Sequence, residues 1–217
     1  MHIDHAAVHT FLRTRLTEPL PEETEQLRMA PYNRTARNLA LRVNPNPKPS
    51  AVLVLIYPHG TEAHTVLMLR NKYPGVHSGQ VSFPGGRQEI TDPDLRFTAL
   101  RETEEEMGVP VQSVEVLGSL SPVYIPPSGF LVTPYVGTVL EAPHFRPDDR
   151  EVHTLIETPL SLLLRDDIIK SKPIKVGSSG IRIRAPYFDV HGHVVWGATA
   201  MILSELKSLL HDERLLP

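Results

Sequence analysis

Three stretches predict a mixed α/β (α+β) domain. Residues 51–57, AVLVLIY, are apolar throughout, as in a strand buried on both faces. Residues 92–108 are bounded by a helix start and a helix stop. Residues 198–210 place Ile202, Leu206 and Leu209 on one helical face. Strands before and after a central helix, with a second helix at the end, fit α/β or α+β layering. At 217 residues and 41% hydrophobic, the chain can bury one substantial core. One domain is expected at residues 50–217, with residues 1–49 an N-terminal helix and linker extension packed on its core.

In chain order, residues 3–16 read as a short amphipathic helix with Ile3, Ala7, Phe11 and Leu12 on one side. Its polar face is not strongly basic, which favours packing on its own domain over a membrane. Prolines and acids fill residues 17–33, and the proline run 44–49 reads as a stiff, extended linker. The strand at 51–57 turns at residues 59–62 and returns as a hairpin partner, Thr65 to Arg70. Residues 71–80 form a polar connection. Residues 113–123, 130–139, 151–157 and 181–188 read as strands, the third ending in a short helix near Leu160 to Leu164. Trp196 precedes the terminal helix, either as its hydrophobic anchor or as a ligand contact.

The stretch 83–109, FPGGRQEITDPDLRFTALRETEEEMGV, is the chemical centre of the sequence. It opens as a glycine turn. Asp92 reads as the helix cap, Pro93 as the first helical residue and Gly108 as the stop. Glu102, Glu105 and Glu106 then fall on one side at spacings of three and four, with Arg101 one turn before Glu105. Leu95, Ala99, Leu100, Thr103 and Met107 form a neighbouring arc suited to packing on a sheet. Three like charges on one face suit either a solvated surface or a hard divalent cation such as Mg2+ or Mn2+. The glycine turn favours the cation by setting bare carbonyls beside the acids.

Composition narrows the alternatives. A net charge of −3 and a pI near 6.4 give no general attraction to nucleic acid. The 11 histidines include no zinc-protease spacing, and the absence of cysteine removes disulfides and thiolate zinc sites. No apolar run approaches the roughly 20 residues of a membrane span, and the first residues lack a basic-then-apolar signal. A soluble, cytoplasmic protein is expected.

These residues resemble the Nudix hydrolases. The match consists of Gly86, a spacer one residue longer than usual, and Arg101-Glu102-Thr103-Glu104-Glu105-Glu106-Met107-Gly108-Val109. Asp92 or Glu89 stands where the family has its mid-box Glu, and Thr103 replaces an apolar or small residue. The resemblance implies an α/β/α sandwich around a mixed sheet and hydrolysis of a nucleoside diphosphate linkage with Mg2+ or Mn2+. Glu102, Glu105, Glu106 and the Gly85 carbonyl would hold the metal, and Arg101 would orient Glu105. The base that activates water would be Glu105 or Glu151, the latter having strand capping as its plain alternative.

Val66-Leu67, Arg70, Gly79, the 83–86 turn and the Trp-Gly-Ala-Thr entry at 196–199 are similar to a subgroup, the coenzyme A pyrophosphatases. That similarity implies substrate contacts at Arg70, Gly79 and Phe83, with Arg70 on a phosphate. Met68, Asn71 and Gly75 depart from the subgroup pattern, Gly75 by replacing an arginine. ADP-ribose or another nucleoside diphosphate derivative is the alternative substrate, and a non-catalytic nucleotide-binding module is a further alternative. Short N-terminal additions in such enzymes often support a homodimer.

Overall fold

The computed structural model describes residues 2–31, 40–42, 44–72, 78–175 and 182–216. At its centre is β1 (Lys48–His59), which turns at Gly60 into the antiparallel β2 (Glu62–Arg70). Along its other edge β1 runs parallel to β7 (Phe130–Thr138). β5 (Glu115–Ser119) and β6 (Val123–Ile125) pair with β7, and β8 (Val152–Pro159) pairs with β2. With β3 (Val81–Ser82) and β4 (Gly85–Arg87), the described residues form one eight-stranded mixed sheet.

The β1–β2 hairpin splays at its open end, and this makes room for the site. Pairing joins Ile56–His59 to Glu62–Thr65. Further on, Met68 and Leu69 of β2 pair with β3, while Ser50, Ala51 and Val52 of β1 pair with β4. The Phe-Pro-Gly-Gly segment read as a turn therefore enters the sheet, with Gly85 opposite Val52 and the Pro84 carbonyl accepting from Leu53 N at 2.9 Å.

Both faces of β1 are covered, which explains its unbroken apolar run. Ala51, Leu53, Leu55 and Tyr57 pack with Ala99, Leu100 and Met107 of α3 (Leu95–Met107). Val54 and Ile56 join the opposite core, which contains Val8 and Leu12 of α1 (His5–Arg15) and Met201, Ile202 and Leu206 of α5 (Gly197–Leu210). Helices on both sides of a mixed sheet make the sandwich that the sequence predicts.

Several local expectations change. The buried side of α1 is His5, Val8 and Leu12, whereas Ala7 is exposed. Asp4 caps the helix by accepting from Ala7 N at 3.0 Å, which leaves Ile3 buried outside the helix. α2 (Glu23–Arg28) lies in the proline-rich and acidic stretch; it buries only Gln26, so it has no apolar period to read. β1 begins within the proline run, at Lys48. The strand expected at 113–123 is replaced by a 3-10 turn at Val111–Ser113, then β5 and β6, and between the two strands Ser121 turns inward to bond Glu205.

α4 (Leu160–Leu163) follows β8. A second, antiparallel sheet of β9 (Ile169–Lys175), β10 (Arg182–Val190) and β11 (His193–Trp196) was not expected. β9 buries only Ile174 and shows no alternation. Residue 181 of the expected strand, and Gly75 and His77 of the connecting stretch, lie outside the described residues. Among the described residues, no helix is long and apolar enough to cross a membrane.

Candidate active site

The splayed end of the hairpin brings β4 against α3. Gly85 has φ +149°, and a Cβ there would lie 2.3 Å from the Ala51 carbonyl oxygen. A Cβ on Gly86 would lie 2.4 Å from Glu102 Oε1. The first glycine lets β4 reach β1, and the second admits the Glu102 carboxylate against the backbone. Gly85 N then donates to Glu106 Oε2 at 2.8 Å, locking the strand to the acidic helix.

α3 starts two residues later than expected. Its cap is Asp94, which accepts from Phe97 N at 2.7 Å, while Gly108 ends it in the left-handed conformation, as predicted. Asp92 is committed elsewhere. Its buried carboxylate accepts from Arg101 Nε at 2.9 Å and Nη2 at 3.0 Å, from Thr98 Oγ1 at 2.9 Å and from Glu89 N at 2.9 Å. The guanidinium beside it, aided by the other donors, holds its carboxyl down at about 2. Arg101 Nη1 continues to Glu102 Oε1 at 3.0 Å and Glu105 Oε2 at 3.2 Å. Arg101 therefore touches Glu105, as its spacing predicts, but its fixed partner is Asp92. Of the two acids weighed for the mid-box position, Asp92 is the one in contact with Arg101's side chain.

A second arginine enters from the sheet. Arg70, the last residue of β2, donates from Nη2 to Glu106 Oε1 at 2.8 Å and to the Gly85 carbonyl at 3.1 Å, and from Nε to Ser82 Oγ at 3.3 Å. Its Nη1 lies 3.8 Å from Glu151 Oε2. Glu106 is 2% exposed. Burial pushes its carboxyl up to about 8, against the opposing pull of Arg70 and Gly85 N, with Glu102 and Glu151 adding repulsion. Burial raises Glu102 as well, opposed by Arg101 and reinforced by Glu105 and Glu151.

The predicted metal residues, Gly85, Glu102, Glu105 and Glu106, thus share one corner with Arg70, Arg101 and Glu151. Among the described residues, however, no three His, Cys, Asp or Glu side chains stand together as a ready metal cage. Arginines partner the acids instead. The donor set fits a hard divalent cation: it is all oxygen, two carboxyls are raised by burial, and Gly86 leaves the Glu102 carboxylate room against the backbone. Phe83 is 1% exposed and belongs to the core that holds Val54 and Ile56, so its ring has almost no surface for the substrate contact that the resemblance implied. Gly79 is an exposed turn residue, φ +65°, whose N–H donates to the Asn71 carbonyl at 3.2 Å. Sequence reading did not anticipate the Arg70–Glu106 contact or the bond from Asn71 N to the Glu151 carbonyl at 2.9 Å. No periodicity links them; the only available signal was the end of the hairpin, which places residues 70 and 71 at the sheet's open edge.

The mixed sheet, the glycine strand and the acidic helix define a Nudix-type hydrolase. Residues 47–172 match the NUDIX domain. The chain is 37% identical over 164 residues to a protein of Pectobacterium atrosepticum described as "Uncharacterized Nudix hydrolase NudL", covering 75% of this chain and 83% of that one. A protein of Yersinia enterocolitica with the same description is 38% identical over 145 residues, covering 67% and 73%. A MutT/nudix family protein from Enterococcus faecalis superposes with TM-score 0.49 at 15% identity, covering 92% and 80% of the two chains. This chain belongs to the Nudix family. It is a hydrolase of nucleoside diphosphate linkages, in a family that generally uses divalent metal ions.

Proposed function

We propose that the chain hydrolyses the diphosphate of coenzyme A or an acyl-CoA, giving 3′,5′-ADP and (acyl-)phosphopantetheine, with Mg2+ or Mn2+ as cofactor. The observation that carries the chemistry is the shared corner of Glu102, Glu105, Glu106 and the Gly85 carbonyl, faced by Arg70 and Glu151. A bound divalent ion would neutralise phosphate charge and make a water more acidic. Arg101, fixed by Asp92, orients Glu102 and Glu105. Glu151 is taken as the carboxylate that receives the proton of the attacking water, because it stands 3.8 Å from Arg70 Nη1, the partner of Glu106, and is open to solvent. Glu105 is the alternative base.

The choice of substrate is supported by the subgroup pattern at Arg70, Gly79, residues 83–86 and residues 196–199. One observation favours ADP-ribose or a related nucleotide instead: Arg70 is held by Glu106 and Gly85, and is less available for a phosphate. A competition assay with Mg2+ or Mn2+, supplying CoA, dephospho-CoA, ADP-ribose, NADH and a diadenosine polyphosphate at equal concentration, decides between them. CoA should show the highest kcat/KM, and a clear preference for ADP-ribose would overturn the CoA reading while leaving the metal chemistry intact. Glu106→Gln should lower kcat by about a hundredfold or more, given the several kcal/mol of charge stabilisation a metal supplies. Activity within about threefold of the parent would remove the metal assignment.

A further inference from the structure

Glu151 owes its place to the residue that follows Arg70. β2 and β8 pair regularly from His64–Pro159 to Leu69–Thr154, and the next pair is Arg70–Val152. β8 therefore carries one extra residue, His153, as a bulge. Without the bulge the register would place Val152 opposite Asn71; with it, Glu151 occupies that position, and Asn71 N donates to the Glu151 carbonyl at 2.9 Å. The Asn71 side-chain amide donates to the Asp149 carbonyl at 2.8 Å. The same turn is held on its other side by Asp148 N on the Glu106 carbonyl at 3.1 Å, and within itself by Glu151 N and Val152 N on the Asp148 carbonyl.

We propose that Asn71 is a positioning residue for hydrolysis, fastening the 148–151 turn to the end of β2 so that the Glu151 carboxylate stays beside the Arg70–Glu106 pair. The proposal rests on the reading of Glu151 as the water-activating group. Serine or alanine at position 71, the types expected from the subgroup, would lack the reach of the asparagine amide to the Asp149 carbonyl. The backbone bond from residue 71 and the bonds of Asp148 survive such a change, so the turn persists and only its placement loosens. An asparagine here thus ties the fold of the turn to the position of the Glu151 carboxylate.

The test compares the parent, Asn71→Ala, Glu151→Gln and the double variant, with Mg2+ and with ADP-ribose and CoA as probes. Hydrogen exchange of residues 148–152 is followed in parallel. Asn71→Ala should lower kcat by about 10- to 100-fold, the scale of a small misplacement, with KM nearly unchanged. It should speed exchange in residues 148–152, and it should add less than about twofold to the loss already present in Glu151→Gln. Equal losses in both backgrounds, parent-like kcat, or unaltered exchange would each overturn the proposal. If Glu151→Gln matches the parent while Glu106→Gln is inactive, the proposal falls and the hydrolase reading stands. If the parent cleaves neither probe, the substrate reading falls and takes the proposal with it.

Discussion

At the scale of the residue, Glu106 sets burial against charge. It is nearly inaccessible, it touches Arg70 and Gly85 N, and its carboxyl is nevertheless raised to about 8. In the metal-free protein the folded state keeps a proton that the unfolded chain releases above its ordinary value of 4.5. The contribution of this group to stability therefore falls as pH rises from that value toward about 8, with a slope of at most about 1.4 kcal/mol per pH unit. Urea midpoints at pH 5, 6.5 and 8 in the presence of a chelator should decline in that order, more steeply for the parent than for Glu106→Gln. Adding Mg2+ should recover most of the loss at pH 8; a pH dependence of the parent no steeper than that of Glu106→Gln would contradict the account. The acids themselves were legible in the sequence, because spacings of three and four fix a helical face. Their partnership with Arg70 was not, since the two residues are 36 positions apart and meet through the sheet.

At the scale of the element, α3 shows what local rules can and cannot decide. Asp92-Pro93-Asp94 announces a helix start, but either aspartate satisfies the capping rule. The choice is made by Arg101, nine residues on, which takes Asp92 and leaves Asp94 to cap. The two aspartates should consequently differ in cost. Asp94→Ala removes a cap worth about 1 kcal/mol, whereas Asp92→Ala takes two bonds from a largely buried arginine and one from a buried threonine and should cost about 2–4 kcal/mol. Asp92→Ala should also reduce kcat, since Arg101 then orients Glu102 and Glu105 less well. Urea denaturation and steady-state kinetics of the pair would check the order, and equal effects would remove the distinction. β1 and α5 were legible for the opposite reason: each is buried enough for its apolar pattern to specify it alone. β9 and α2 bury one residue each, and their structure is set by neighbours.

At the scale of the whole molecule, the N-terminal helix is part of the main core. Val8 and Leu12 are completely buried with residues of β1 and α5. Leu12→Ala should cost about 3 kcal/mol, as for other buried leucines, whereas a surface change such as Thr10→Ala should cost little; similar urea midpoints for the two would show that α1 is dispensable. A second tie lies deeper. Glu205, fully buried on α5, accepts from Gln26 Nε2 at 2.8 Å, Ser121 N at 3.1 Å and Ser121 Oγ at 2.6 Å, across sequence separations of 179 and 84 residues. That separation governs the order of events on the ribosome. Gln26 emerges long before Glu205, its partner on α5, is made. β1 likewise waits for β7 to be made. Loop closure over such distances is slow, so the nascent chain carries its future core uncovered through most of translation. Pausing or truncation before residue 197 would thus release a chain prone to aggregation, in which the core that α5 completes is still open.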